Sequence, residues 1–138
     1  MFARLPDLLA TRAALSTAAP AIAFGDARTS YAELDREAWQ AAAWLSRQGV
    51  GAEDRVALLA RNRPDLFVLL FACARIGAIL VPLNWRMPAA ELDGLVADAA
   101  PALLLFADED AATLQGLADP PSSRALEQAA REWRREDG

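Results

Sequence analysis

The sequence predicts an α/β fold: a βαβαβ unit forming a parallel sheet with flanking helices, preceded by a short N-terminal hairpin. Three short apolar runs, 56–60, 79–83 and 103–107, recur about every 24 residues. Such continuous apolar character is typical of strands that are covered on both faces. The segments between the runs are long enough for helical crossovers, which are almost always right-handed.

The composition is that of a globular domain, because 54% of the 138 residues are apolar and 24% are charged. Cys73 is the single cysteine and histidine is absent, which excludes an intrachain disulfide and a cysteine–histidine zinc cage. All 14 basic residues are arginines. The chain therefore lacks the residues for a Ser-His relay, a Schiff-base lysine or a phosphate-loop lysine.

Net charge and hydropathy limit the binding partners and the cellular location that we expect for this protein. A net charge of −5 and a pI near 4.7 oppose binding to nucleic acid. The apolar stretch 66–83 is interrupted by Arg75, Gly77 and Pro82, so we expect no membrane span. Asp7 and Arg12 lie where a secretory signal would need its apolar stretch, so we expect no export signal. We expect a cytoplasmic protein.

Capping and turn signals define the first elements. Residues 5–16 predict a short amphipathic helix that acts as a lid, and 21–24 and 28–31 predict a hairpin around Gly25 and Asp26. Ser30 and Glu33 form a capping box that starts a helix reaching about Gln48, with Gly49 as its left-handed stop. The predicted buried face of this helix consists of Leu34, Ala38, Ala41, Ala42 and Leu45.

Prolines mark the two later helices. Pro64 opens a helix over 64–76 that is apolar almost all round and is predicted to be buried. Pro88 opens the next helix, which ends before Pro101. The predicted inner stripe of this second helix is Leu92, Leu95 and Val96.

The predicted domain organisation is a subdomain over 1–118, a linker over 119–123 and a charged C-terminal helix over 124–138. No further strand is expected after residue 107. The helix, over 124–136, either docks through Leu126 and Trp133 or frays with the terminus.

Three patterns could carry chemistry but have a simpler explanation. The carboxylates of 108–110 could attract a hard cation, yet the calcium-loop pattern fails and acidic residues suit a helix start. Gly49-Val50-Gly51 resembles a dinucleotide loop but follows a helix, so it indicates a helix stop and a turn. Cys73 lies among apolar residues without an activating histidine and is interpreted as a core residue.

Two further patterns leave alternatives open. Arg131, Arg134 and Arg135 form either an anion patch or, with interleaved glutamates, a solvated helix face, which we favour. Asn84-Trp85-Arg86 follows a predicted parallel strand, where open α/β sheets bind ligands. Packing of Trp85 on a neighbouring surface is the favoured alternative there.

Residues 21–107 resemble the N-terminal part of the AMP-forming adenylate ligases, the superfamily of acyl-CoA synthetases, peptide-synthetase adenylation domains and firefly luciferase. The resemblance rests on four pieces: 29–34 (TSYAEL), 51–56 (GAEDRV), 62–64 (NRP) and 77–84 (GAILVPLN). Residues 83–86 (LNWR) are most similar to fatty-acid and related acyl-CoA ligases. The tail from residue 119 departs from the pattern, because the family usually continues with more of the sheet.

The resemblance implies a two-step reaction. A carboxylate attacks the α-phosphate of ATP to give an acyl-adenylate, and coenzyme A then displaces AMP, with magnesium neutralising phosphate charge. The family uses a lysine in a Ser/Thr/Gly-rich phosphate loop and a second lysine from a mobile C-terminal domain. This sequence has neither, so no catalytic, cofactor-binding or metal-binding residue is assigned, and no cofactor is expected to bind these residues alone.

We therefore expect a catalytically inactive N-terminal portion of an acyl-CoA ligase that packs against the remainder of the enzyme. The alternative is a stand-alone, non-catalytic interaction module whose exposed sheet or C-terminal helix binds a protein partner. A flavodoxin-like nucleotide binder is a third possibility that only the βαβ pattern supports.

Overall fold

The computed structural model describes residues 6–137. The strands in this range are β1 (Pro20–Phe24), β2 (Ala27–Ser30), β3 (Arg55–Leu59), β4 (Ile79–Leu83), β5 (Leu103–Phe106) and β6 (Ser123–Ala125). The α-helices are α1 (Leu8–Leu15), α2 (Tyr31–Arg47), α3 (Pro64–Ile76), α4 (Ala89–Ala99), α5 (Ala111–Gln115) and α6 (Leu126–Trp133). A 3-10 turn, Asp108–Asp110, precedes α5.

The predicted N-terminal elements are confirmed from α1 to the end of α2. β1 and β2 pair antiparallel around Gly25, whose φ of +58° is the left-handed conformation that glycine allows. Ser30 and Glu33 form both hydrogen bonds of the capping box. The predicted buried face of α2 is buried, with Trp44 added to it. Leu5, the predicted start of the first helix, lies outside the described residues.

The sheet has the order β4-β3-β5-β6, and each neighbouring pair is parallel. The three predicted strands are confirmed. The expectation that no strand follows residue 107 is wrong, because β6 pairs with β5 and the Leu104 amide donates to the Ser122 carbonyl at 2.8 Å. The missed strand is three residues long and carries no apolar run, so its pairing with β5 defines it rather than its hydropathy.

Helices cover both faces of this sheet, as parallel sheets require. Val56, Leu58 and Leu105 pack with α2, α3 and α6 in one buried cluster. Ala57 and Leu104, which point to the opposite face, pack in a second cluster with side chains of α4. Since both faces are covered, the exposed sheet expected from the sequence is reduced to the edges, such as β4.

Two predictions about buried helix faces are wrong in part. Phe67 and Leu70 of α3 are 44% and 46% exposed, although the helix is apolar almost all round. The opposite side of α3 packs on the sheet and α2, and no described element covers the outer side. Leu95, placed in the inner stripe of α4, is 45% exposed, whereas Leu92 and Val96 are buried.

The tail is docked and not frayed. α6 begins at Leu126 and ends at Trp133, and both side chains are fully buried. The Trp133 indole donates to Glu37 Oε1 on α2 at 2.9 Å, and the Trp44 indole donates to Glu132 Oε2 on α6 at 2.8 Å. The two rings meet edge to face with centroids 6.1 Å apart, a favoured aromatic geometry.

Arg75 joins three helices. Its side chain is buried and donates to the Asp7 carboxylate at 2.9 Å, to the Asp35 carbonyl at 3.0 Å and to the Asp35 carboxylate. The guanidinium also lies 4.3 Å from the ring centroid of Trp39. A buried guanidinium needs such partners, so α1 and α2 are fixed against α3 at this point.

We predict that Trp133→Ala destabilises the protein by about 3–5 kcal/mol, because it leaves a cavity and removes one of the two donors to the Glu37 carboxylate. The measurement is the free energy of unfolding from urea titration. Leu95→Ala, at a half-exposed position on the other side of the sheet, is the control and should cost less than about 1 kcal/mol. Equal losses in the two variants would contradict the docked helix.

Candidate functional site

The candidate site lies at the carboxyl edge of the parallel sheet, where open α/β folds bind ligands. Three loops meet there: 60–63 after β3, 84–88 after β4 and 107–110 after β5. The first turn of α6 follows β6 at the same edge. We call this set of residues the sheet-edge site.

Trp85 is the central aromatic residue of the sheet-edge site. The guanidinium carbons of Arg61 and Arg86 lie 4.1 Å and 4.9 Å from its ring centroid, within cation–π distance. The Arg86 amide donates to Asn84 Oδ1 at 3.0 Å, which shapes the loop. Trp85 is half-buried and also packs against the second apolar cluster, which confirms the favoured prediction that it packs on a neighbouring surface.

Arg61 connects the loop after β3 to the acidic turn after β5. Its Nη1 atom lies 2.7 Å from Glu109 Oε1 and 3.8 Å from Asp110 Oδ1. Burial raises the pKa of Asp110, and the charge of Arg61 opposes that rise. The acidic turn therefore forms ion pairs with Arg61. Residues 6–137 contain no group of three or more side chains that could hold a metal ion.

A second ion-pair network ties α6 to this edge. Arg63 donates to Asp65 Oδ2 at 2.7 Å and to Glu127 Oε1 at 2.8 Å, while the Asp108 amide donates to Glu127 Oε2 at 3.0 Å. Burial alone would raise the pKa of Glu127, but the hydrogen bond from Arg63 and the amide bonds outweigh it and lower the pKa. Sequence spacing could not find this network, because its members are far apart in the chain.

The interpretation of the last helix as a solvated charged face is confirmed for its arginines, because Arg131, Arg134 and Arg135 are exposed, and it is wrong for the interleaved glutamates, which are half-buried and paired. Arg134 pairs with Glu37 at 2.8 Å and lies 3.6 Å from Asp65. Glu132 accepts from Arg124, and Glu136 pairs with Arg47. These ion pairs attach the C-terminal segment to the rest of the chain.

A cavity of about 230 Å³ opens at the sheet-edge site beside Asn62, Asn84 and Arg86. Its polar groups are amides and guanidinium groups, which can bind an anion but do not serve as a nucleophile or a general base. Cys73 lies elsewhere, in the core, where burial raises its pKa to about 12. The core interpretation of Cys73 is therefore confirmed.

A protein-family model described as AMP-binding enzyme matches residues 9–136. The chain belongs to this family. The match extends well beyond the predicted 21–107, and the tail expected to depart from the family pattern lies inside it. β6, which continues the sheet in that tail, agrees with the longer match.

The relatives of this chain include proteins named as acyl-CoA synthases and CoA ligases. Feruloyl-CoA synthase from Amycolatopsis is 41% identical over 107 residues, which cover 78% of this chain and 22% of that protein. Indoleacetate–CoA ligase from Aromatoleum aromaticum is 35% identical over 115 residues, covering 83% of this chain and 22% of that protein. The chain thus spans about a fifth of the length of these relatives.

The fold agrees with a solved structure. The N-terminal domain of FACL13 from Mycobacterium tuberculosis superposes with a TM-score of 0.84 at 27% identity, over 94% of this chain and 35% of that one. The chain therefore has the fold of an N-terminal portion of the adenylate-forming ligases. Among the described helices, none has the length and apolar character needed to cross a membrane.

We predict that Glu127→Gln weakens the protein at neutral pH by about 1 kcal/mol or less, since solvent partly screens the pair with Arg63. The pKa of Glu127 is lowered from its usual value of 4.5 in the folded state. The stabilisation is therefore present above pH 4.5 and is lost as the pH falls through the folded-state pKa. Urea unfolding of both proteins at pH 7 and pH 3.5 measures this difference.

The matched control is Glu91→Gln, at an exposed position in the first turn of α4. Its effect on the free energy of unfolding should be smaller and should change less with pH. A Glu127→Gln effect that grows on acidification would contradict the ion-pair network.

Proposed function

We propose that this chain is the N-terminal scaffold of an AMP-forming acyl-CoA ligase and has no catalytic activity by itself. The observation that carries the proposal is the family match over residues 9–136 to proteins of which this chain covers 22%. In this role the parallel sheet and its helices form a rigid body on which the remainder of the enzyme packs. The proposed location is the cytoplasm.

The proposed reaction of the complete ligase uses ATP, magnesium and coenzyme A. The carboxylate of the acid displaces pyrophosphate from ATP, and the coenzyme A thiol then displaces AMP from the acyl-adenylate. These 138 residues contain no lysine and no cluster of metal ligands in the described range. The groups that bind and activate the nucleotide are therefore assigned to the rest of the enzyme.

A fatty acid is the proposed substrate, because residues 83–86 resemble fatty-acid ligases and the chain is 31% identical to long-chain-fatty-acid–CoA ligase FadD13 of Mycobacterium tuberculosis. The higher identity to feruloyl-CoA synthase and indoleacetate–CoA ligase supports an aromatic acid as the second candidate. Acyl-CoA formation from dodecanoate and from ferulate by the complete ligase distinguishes these classes.

A stand-alone interaction module is the alternative function, and the docking of α6 supports it. Trp133 is fully buried and both faces of the sheet are covered, so the C-terminal helix is part of the core. The apolar surface that the isolated chain exposes distinguishes the ligase scaffold from the stand-alone module. A scaffold exposes apolar surface that its enzyme buries, whereas a finished module is a monomer that binds no hydrophobic dye.

We predict that the isolated chain forms no acyl-CoA from ATP, magnesium, coenzyme A and either acid, because it carries none of the activating groups. The same preparation should bind a hydrophobic dye. Two results would contradict the proposed scaffold function. One is acyl-CoA formation that copurifies with the chain, and the other is a monomer that binds no hydrophobic dye.

We also predict that the chain can replace the matching N-terminal segment of feruloyl-CoA synthase. A chimaera joins this chain to the downstream part of that enzyme. It should retain at least about a tenth of the parent's kcat/KM, so the loss of transition-state stabilisation should not exceed about 1.4 kcal/mol. The readout is feruloyl-CoA formation. The same host without any N-terminal segment is the control and should be inactive.

A further inference from the structure

A mainly apolar concavity lies away from the sheet-edge site. It is a groove of about 500 Å³ between α1, β1, α2 and α3, and we call it the α1–α3 groove. Its walls are mainly apolar and include Leu8, Ile22, Tyr31, Leu34, Phe67 and Phe71.

Two of the side chains that line this groove are large, apolar and exposed. They are Leu8 on α1 and Phe67 on α3. Leu15, Phe24 and Leu70 are also exposed on α1, β1 and α3, but they lie outside the lining of the groove. Leu8 is 70% exposed at the groove wall, an expensive position for leucine unless another surface covers it.

An ion pair holds one end of the groove. Arg75 donates to Asp7, the N-cap of α1, and this hydrogen bond keeps the pKa of the Asp7 carboxyl below its usual value. Movement of α1 into the groove would break this pair. The groove is open in the structure, so it can receive a segment without movement of α1.

The charge at the rim is positive. The Arg12 guanidinium lies 5.4 Å from the ring centroid of Tyr31, and no carboxylate within residues 6–137 forms an ion pair with it. An occupant with an apolar face and one carboxylate opposite Arg12 would match this rim.

Other surfaces are less suited to a large partner. Both faces of the sheet are covered by helices. At the outer edge, the Ile79 amide donates inward to the Asp54 carbonyl, so the even-numbered residues of β4 turn their backbone outward. Pro82 occupies such an outward position and has no N–H to donate, which disfavours addition of a strand there.

We propose that the α1–α3 groove seats an apolar segment of the ligase polypeptide lying outside these residues, with an acidic side chain opposite Arg12. This inference rests on the proposed scaffold function. The length of chain outside the structure supports this occupant, since the matching segment is 22% of feruloyl-CoA synthase and of indoleacetate–CoA ligase. A second copy of this chain and a small amphiphile are the competing occupants.

Cysteine labelling tests the proposal without relying on activity. Phe67→Cys places a thiol in the groove at a half-exposed position, and Leu95→Cys places the matched control on α4. The native Cys73 is buried, with its pKa raised to about 12, so it does not compete for maleimide. Labelling rates are measured by mass spectrometry at each site, in the isolated chain and in the feruloyl-CoA synthase chimaera.

The expected result is labelling of Phe67→Cys that is about tenfold or more slower in the chimaera than in the isolated chain, with Leu95→Cys unchanged. Arg12→Glu should restore part of the labelling in the chimaera. Equal rates in the two contexts would overturn the inference. So would slowing that appears in the isolated chain as its concentration rises, which assigns the groove to a second copy, or slowing caused by added dodecanoate, which assigns it to an amphiphile.

Activity separates this inference from the proposed function. An active chimaera without protection of Phe67→Cys leaves the scaffold intact and rejects the groove as its docking surface. A protected but inactive chimaera retains the docking surface and rejects the scaffold function. A second chimaera, built on indoleacetate–CoA ligase, provides the same pair of readouts if the first does not fold.

Discussion

The double coverage of the parallel sheet is the constraint on which the rest of this structure depends. Strands such as β3 and β5 are apolar on both sides, so neither face can be left in water. Apolar side chains of α2, α3 and α6 cover one face of the sheet, and those of α4 cover the other. The hairpin and α1 lie outside this sandwich, and their own apolar residues are consequently less completely covered.

Most of the fold could be predicted from the sequence because its signals are local. Ser30 and Glu33 set the start of α2, Pro64 sets the start of α3, and the apolar runs set three strands. β6 could not be predicted in this way, because Ser123–Ala125 has no apolar pattern and is a strand only through its pairing with β5. Burial of Phe67 was overestimated for a related reason, since helix composition does not say which side has a neighbour.

The candidate site was only partly predictable. Its position followed from strand order, and Trp85 was correctly placed after β4. The contact of Trp85 with Arg61 was not identified, because Arg61 lies in a different loop, whereas Arg86 is the next residue in the chain. Glu127 was assigned to a solvated face, although it accepts hydrogen bonds from Arg63 and Asp108. Charge alternation along a helix indicates exposure only where no charged loop lies opposite.

The reciprocal contact between α2 and α6 has a consequence for biosynthesis. Each tryptophan of the pair donates to a glutamate on the other helix, and the Trp133–Glu37 bond joins residues 96 positions apart. The ribosome makes Trp44 long before Trp133, so the core around α2 cannot close until α6 has been synthesised.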